Sequence, residues 1–269
     1  MSQDLADRAA LLLAKLREDR PLVHNITNHV VMNLTANALL ASGASPVMAH
    51  AREEVEDMAS IASALVLNIG TLSPHWVEAM LIAGRRASER SIPIVLDPVG
   101  AGATRYRTET SLRILDECRI TILRGNSSEI LACGGSSGRT RGVDSAAAVS
   151  EAEAGARAIA RSRSITVAVT GPVDLVTDGK RTFRVHNGHP LLGSVTGMGC
   201  TATAIIGAFS ASGSDPAFDA AAALSFFGLA GEAAAREARG PGSFQVALMD
   251  VLAALDPMAL AKGARIEAA

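Results

Sequence analysis

Four short apolar runs, each closing in a polar or glycine-rich turn, constrain this chain more than any other feature. Ala64–Ile69 (ALVLNI) ends at Gly70-Thr71 and Ile94–Leu96 ends at Asp97-Pro98. Ile120–Leu123 (ITIL) ends at Arg124-Gly125-Asn126, and Ile165–Val169 (ITVAV) ends at Thr170-Gly171-Pro172. Continuous apolar runs of this length fit strands buried on both faces. Helix-length segments separate them. Ser73-Pro74 opens one that runs to about Glu89, with proline at an early position where its missing N–H leaves no bond unmade. Asp174–Thr177 and Thr182–Val185, separated by Asp178-Gly179, read as a hairpin, because Asp-Gly suits a tight turn. Beyond Cys200 the pattern is helical almost to the end, broken at Gly213, Pro216 and Gly240-Pro241-Gly242. Repeated strand–helix units predict right-handed crossovers and a mostly parallel central sheet with helices on both faces. No linker divides the 269 residues, so residues 1–269 are expected to form a single domain, with Gly134–Gly142 as a surface loop.

Composition narrows the functions open to such a fold. Lys and Arg number 25 against 27 Asp and Glu, for a net charge of −2. That balance argues against a nucleic-acid or anionic-membrane binder, both of which need a basic face. Hydrophobic residues make up 48% and charged residues 19%, which excludes intrinsic disorder. Aromatics are only 3%, so Ala, Val, Ile and Leu must fill the core. The apolar stretch Ala220–Gly231, bounded by Asp219 and Glu232, is shorter than the roughly 20 residues of a bilayer span. The polar, acidic start MSQDLADRAA is unlike a secretory signal, and a cytoplasmic location is expected. Cys118, Cys133 and Cys200 are odd in number and lack metal-ligand spacing, which argues against both a disulfide framework and a zinc site.

In open α/β sheets ligands bind at the carboxyl ends of the strands, so the four turns should line one crevice. Each turn alone is equally explained by turn geometry and helix capping; four at successive strand ends point to a site. Val195-Thr196-Gly197-Met198-Gly199-Cys200 precedes a long apolar helix starting near Thr201. Glycines there admit a ligand to the backbone, and the free N–H groups of the first helical turn form an anion hole. The loop is not a P-loop, because no Gly-Lys-Ser/Thr follows. At a helix N-terminus the dipole would make the Cys200 thiol ionise more easily, but on the residues alone an inert buried cysteine is the commoner outcome. Asn126 and Glu129 read either as a capping box or as groups near a phosphate-bound Mg²⁺. Asp97, ending its strand against Pro98, is either a capping aspartate or an oxygen ligand. The segment His24-Asn25-Ile26-Thr27-Asn28-His29, before an apolar helix over Val30–Leu40, is dense in uncharged polar groups suited to a small heterocycle. His29 and His75 are expected to be structural or exposed.

Several of these blocks are long and particular: Pro21–Ala49 (PLVHNITNHVVMNLTANALLASGASPVMA), Leu67–Leu72 (LNIGTL), Asp97–Thr104 (DPVGAGAT), Arg124–Glu129 (RGNSSE), Ala168–Gly171 (AVTG) and Val195–Cys200. Together they resemble the hydroxyethylthiazole kinase family, from about Leu13 to Phe244. The resemblance implies a ribokinase-like three-layer α/β fold and phosphorylation of the primary alcohol of 4-methyl-5-(2-hydroxyethyl)thiazole by ATP with Mg²⁺, in thiamine salvage. It also implies a homotrimer with sites at the subunit interfaces. By position, it assigns Met48, Gly197 and Asn25 to the thiazole, and Arg124, Thr170, Asn126 and Gly199 to ATP. Asp97 and Glu129 fall to Mg²⁺ and phosphate, and Cys200 to the acceptor's proton. Ribokinase-like sugar kinases mostly carry an aspartate at that last position; here it is Cys200, as in the thiazole kinases. Met198 stands where a small residue is common. Other expectations remain open on the residues alone: a kinase of the same fold acting on hydroxymethylpyrimidine, an ATP-dependent hydro-lyase repairing nicotinamide cofactors, and a nucleotide-binding regulatory module.

Overall fold

The structure, a computed structural model, describes residues 2–135 and 146–269. The expected Gly134–Gly142 loop therefore falls largely outside the described residues. The chain alternates through α1 (Ser2–Asp19), β1 (Leu22–Ile26), α2 (Met32–Ser42), β2 (Ser45–Val47), α3 (Val55–Ile61), β3 (Ala64–Asn68), α4 (Pro74–Arg90), β4 (Ile94–Asp97) and α5 (Arg105–Glu117). It continues with β5 (Ile122–Asn126), α6 (Ser127–Cys133), α7 (Ala146–Arg163), β6 (Thr166–Thr170), β7 (Asp174–Thr177) and β8 (Thr182–Val185). After a 3₁₀ turn at Pro190–Ser194 come α8 (Met198–Ser212), α9 (Pro216–Glu237), α10 (Pro241–Ala254), α11 (Pro257–Gly263) and β9 (Ile266–Ala268).

The strands form one sheet in the order β2-β1-β3-β4-β5-β6-β7-β8-β9. The pairings from β2 through β6 are parallel, and β7, β8 and β9 add an antiparallel end. Successive strand residues point to opposite faces, and two cores follow from that alternation. Val23, Val66, Val95, Ile122 and Ala168 join Leu13, Ile205, Phe209, Phe226 and Phe244 on the face of α1, α2, α8, α9 and α10. Leu65, Leu67, Ile94, Leu96, Leu123 and Val167 join Met80, Ile114 and Ile159 on the other. The three-layer expectation is met. The four apolar runs became β3 to β6, with bounds shifted by up to three residues, and the hairpin strands have the expected bounds.

Helix ends follow local chemistry. Ser73 accepts a hydrogen bond from the Trp76 amide at 3.4 Å, capping α4 with Pro74 at its first position. Thr104, Asp215 and Asp256 cap α5, α9 and α11 in the same way. α9, at 22 residues, is long and apolar enough to match a bilayer span, yet 83% of its apolar window is buried inside the protein. It is a core helix, packed against α8, α10 and the sheet. Phe226 on α9 is fully buried, 5.6 Å from the Phe209 ring on α8. Phe226→Ala is expected to lower the unfolding free energy by about 3–5 kcal/mol, measured by urea denaturation; a loss under about 1 kcal/mol would show that this helix pair does not anchor the core.

Candidate active site

The carboxyl ends of β1, β3, β4, β5 and β6 meet on one edge of the sheet, and register alone pairs Asn68 with Asp97 and Asn126 with Thr170. Asp97, fully buried, is the centre. Its Oδ2 accepts from Thr203 Oγ1 on α8 at 2.7 Å and from Asn68 Nδ2 at 2.9 Å, with Arg124 Nη1 at 3.5 Å. Burial pushes this carboxyl up to about 6, with the Glu129 charge adding to it and Arg124, Thr203 and Asn68 holding it back. Arg124 in turn donates through Nη2 to Thr170 Oγ1 at 2.5 Å. Two buried polar atoms at this edge, Asp97 Oδ1 and Arg124 Nε, have no partner, and neither has Asn25 Oδ1 two residues deeper in the sheet, at the level of Val66. Buried groups left unpaired are costly, so the Asp97 and Arg124 atoms together point to a ligand that pairs them.

The glycine loop meets this edge from α8. Gly197 caps the helix with φ +88°, and a Cβ there would collide with Val31. The first helical bond is that of the Thr201 amide to the Gly197 carbonyl, 2.8 Å, which leaves the amides of Met198, Gly199 and Cys200 ahead of the ladder. A Cβ on Gly199 would lie 2.8 Å from Arg124 Nη1, so the guanidinium can approach only because this residue has no side chain. Arg124, Thr170 and Gly199 line one cavity of about 530 Å³ with Asp174, His189, Met198 and Phe227. Met198, 4% exposed, serves that wall and the core together. Asp174, beside Gly171, is pushed up to about 6 by burial. A wider cavity of about 1050 Å³ opens at the other end of β5 and β6, around Arg119, Thr121 and Ser164, away from every one of these groups.

Other expected residues stand differently. Asn126 is exposed and forms a reciprocal capping box with Glu129: Asn126 Oδ1 accepts from the Glu129 amide at 3.0 Å, and Glu129 Oε2 from the Asn126 amide at 2.8 Å. Glu129 Oε1 also accepts from the Gly100 amide at 2.8 Å, so this carboxylate holds the β4 and β5 turns together. Asn25 lies within β1 rather than in a loop; its Nδ2 donates to the Val23 carbonyl at 2.9 Å. Met48 is half-buried just beyond β2, the strand at the sheet's edge. Cys200 is half-buried, and its thiol is displaced upward rather than downward. Burial is the main cause and the nearby Asp97 charge the second; bonds from Asn68 and Asn28 and the charge of Arg124 only partly oppose them. Proximity to a helix N-terminus is outweighed.

Two amides complete the candidate site: Asn28, from the polar His24–His29 segment, and Asn68, not singled out from sequence. Asn28 Nδ2 donates to Cys200 Sγ at 3.4 Å and to Asn68 Oδ1 at 2.9 Å, and Asn68 Oδ1 also accepts from the Gly70 amide at 3.0 Å. Cys200 is thereby joined to Asp97 through a buried amide relay. The signal for Asn68 was available, as the one polar residue at the end of an otherwise apolar run. Thr203 had none, because a threonine in an Ala-rich helix is commonplace. Asp97 also gives a pH signature. Its folded carboxyl keeps its proton to about 6, whereas the unfolded one releases it near 3.8. Folding stability from this group is therefore highest below about pH 4 and falls as pH rises toward 6. Asp97→Asn should remove about 2–3 kcal/mol of that decline, read from urea unfolding at pH 4 and pH 7; parallel pH profiles for variant and wild type would refute it.

Comparison with known proteins shows the family and the fold. Residues 13–258 match the Hydroxyethylthiazole kinase family. A protein of Desulfotalea psychrophila named hydroxyethylthiazole kinase is 55% identical over 96% of this chain and 95% of its own length. One of Chloroflexus aurantiacus with the same name is 54% identical over 98% of both. A hydroxyethylthiazole kinase structure from Pyrococcus horikoshii OT3 superposes with a TM-score of 0.90 at 49% identity, covering 97% of this chain and 99% of that one. Pyridoxal kinase from Staphylococcus aureus, at 17% identity and a TM-score of 0.57 over 77% of this chain and 86% of its own, shares the fold alone. With its three-layer sheet, its strand-end polar cluster and these relatives, the chain belongs to the hydroxyethylthiazole kinase family.

Proposed function

We propose that this protein is a single-domain kinase that transfers the γ-phosphoryl of ATP to the primary hydroxyl of 4-methyl-5-(2-hydroxyethyl)thiazole, a step of thiamine salvage in the cytoplasm. The observation that carries the reading is the convergence of Arg124, the Gly197–Cys200 amides and a buried carboxylate on one edge, beside a cavity of about 530 Å³. A transferring phosphoryl asks for this combination, since its transition state needs positioning and charge stabilisation more than covalent help.

ATP occupies the cavity, with Arg124 pairing its phosphates and Thr170 fixing the guanidinium. Gly199, in the same wall, admits the phosphate to the α8 amides. The thiazole lies between Met48, Gly197 and the Asn25–Asn28 segment. Mg²⁺ suits the residues present. Asp97 Oδ1 has no partner, and the Glu129 carboxylate lies near enough for its charge to act on Asp97. That donor set fits an ion held mainly by phosphates and water, with Asp97 and Glu129 as its protein side. When bound, Mg²⁺ would neutralise phosphate charge. Asn126 serves the nucleotide end as the cap of α6.

Cys200 carries its proton at neutral pH, because burial and Asp97 hold the thiol above its ordinary range. Its sulfur, fixed by Asn28, orients the acceptor hydroxyl, and only the small thiolate fraction, its own proton already lost to solvent, takes up the hydroxyl proton late, when the loose transition state has made the oxygen acidic. A homotrimer fits the exposed Leu40 on α2 and Val246 on the adjoining α10, which a partner would cover.

An assay with ATP and Mg²⁺, comparing hydroxyethylthiazole, hydroxymethylpyrimidine and no acceptor, tests the proposal. Thiazole phosphate forming in step with ADP is expected. Phosphorylation of the pyrimidine alone would overturn the substrate, and no acceptor product at all would overturn the kinase. Cys200→Ala should lower kcat by about 10²-fold or more while KM changes little; an unchanged kcat would remove Cys200 from the mechanism.

A further inference from the structure

Next to the acceptor end lies a cluster that the mechanism above does not use. His50 stacks on Trp76, with ring centroids 4.2 Å apart and planes 24° from parallel. His29 leans on the same indole, 4.6 Å away at 56°. The three rings come from three different turns on the site's edge: His29 follows β1, His50 follows β2, and Trp76 lies in the first turn of α4 after β3. The chain's single tryptophan and two of its six histidines gather here.

The Trp76 and His50 rings are bonded to the acceptor segment, and His29 adjoins it in the chain. Trp76 is 8% exposed, and its Nε1 donates to the Thr27 carbonyl at 3.1 Å. His50 Nδ1 lies 3.1 Å from the carbonyl of Met48. His29 immediately follows Asn28, which donates to Cys200 Sγ, and its own amide donates to Thr71 Oγ1 at 3.1 Å. None of the three lines the cavity assigned to the nucleotide. The imidazoles are exposed while the indole beneath them is buried, so two rings rest on a fixed aromatic base. Such a surface favours offset or edge-on contact with another flat ring and gives little to a saturated one.

We propose that His29, His50 and Trp76 form an aromatic wall of the acceptor subsite and select a primary alcohol carried on a flat heteroaromatic ring. This rests on the kinase reading above and deepens it, because Met48 and Asn28 bind the acceptor only there. His50 and His29 are specificity-determining residues, and Trp76 positions both.

Trp76 is the only tryptophan, so protein fluorescence excited in the indole band reports on this wall alone. Wild-type protein without nucleotide is titrated with hydroxyethylthiazole and, separately, with a saturated cyclic alcohol of similar size. A saturable fluorescence change with the thiazole and none with the saturated alcohol is expected. In steady-state assays, His50→Ala and His29→Ala should each raise the thiazole KM about three- to tenfold, with kcat within about twofold of wild type. Trp76→Phe keeps the ring but loses the bond to Thr27; it should stay near wild type in KM, while Trp76→Leu should not. A latch holding the turns together would instead fail equally in both. Active wild-type enzyme with flat fluorescence, or histidine variants with unchanged KM, would overturn the wall and leave the kinase standing. Absence of any thiazole phosphorylation would overturn both.

Discussion

Strands that run in parallel end on the same edge of a sheet, and that constraint organises this molecule. Side chains far apart in sequence come together because β1, β3, β4, β5 and β6 all finish there. Asn68 and Asp97 are register partners before any side chain chooses a rotamer. Arg124 reaches Asp97 from the next strand and Thr170 from the one after. α8 then approaches over the sheet and delivers the glycine loop, Cys200 and Thr203 to the same place. Right-handed crossovers fold the intervening helices onto both faces, so the edge stays open while the faces close.

An open edge with a buried carboxylate is energetically expensive, and the structure shows how the expense is contained. Asp97 receives donors from Thr203 and Asn68 and the charge of Arg124, yet burial still dominates and leaves the carboxyl displaced upward. Removing a charge from water costs more than partial pairing returns. A displaced carboxyl does not by itself mark chemistry, however. Asp219 is pushed up to about 7, also by burial, but its Oδ2 accepts from the Asp215 amide at 3.1 Å near the start of α9, remote from the strand ends. What separates the two is geometry: Asp97 keeps one oxygen unpartnered beside an unpartnered Arg124 Nε, at the mouth of the sheet.

The internal strands and long helices were readable from residue order because burial on both faces leaves uninterrupted apolar runs. β1 was not, since LVHNI carries a histidine and an asparagine, both fully buried. His24 is accommodated by a 2.8 Å contact of Nε2 with the Ala49 carbonyl, a pairing 25 residues away that no local pattern announces. β2 and β9, of three residues each, are too short to show alternation. Among site residues, the strand-end turns and the glycine loop stood out because glycine and charge interrupt apolar sequence. Asn126 and Glu129 kept both readings until the capping box and the bond to Gly100 showed how their side chains are held.

Residue order by itself determined the layered α/β architecture, the edge on which the candidate site residues gather and the family, because periodicity and turn chemistry are local and repeat along the chain. Only the tertiary structure decided the ionisation of Cys200 and Asp97, the Asn28–Asn68 relay and the rings gathered on Trp76. Those depend on burial and on charges brought within a few ångströms by packing. A helix terminus lowers a thiol's pKa wherever it lies, but desolvation acts only once the surrounding elements are in place.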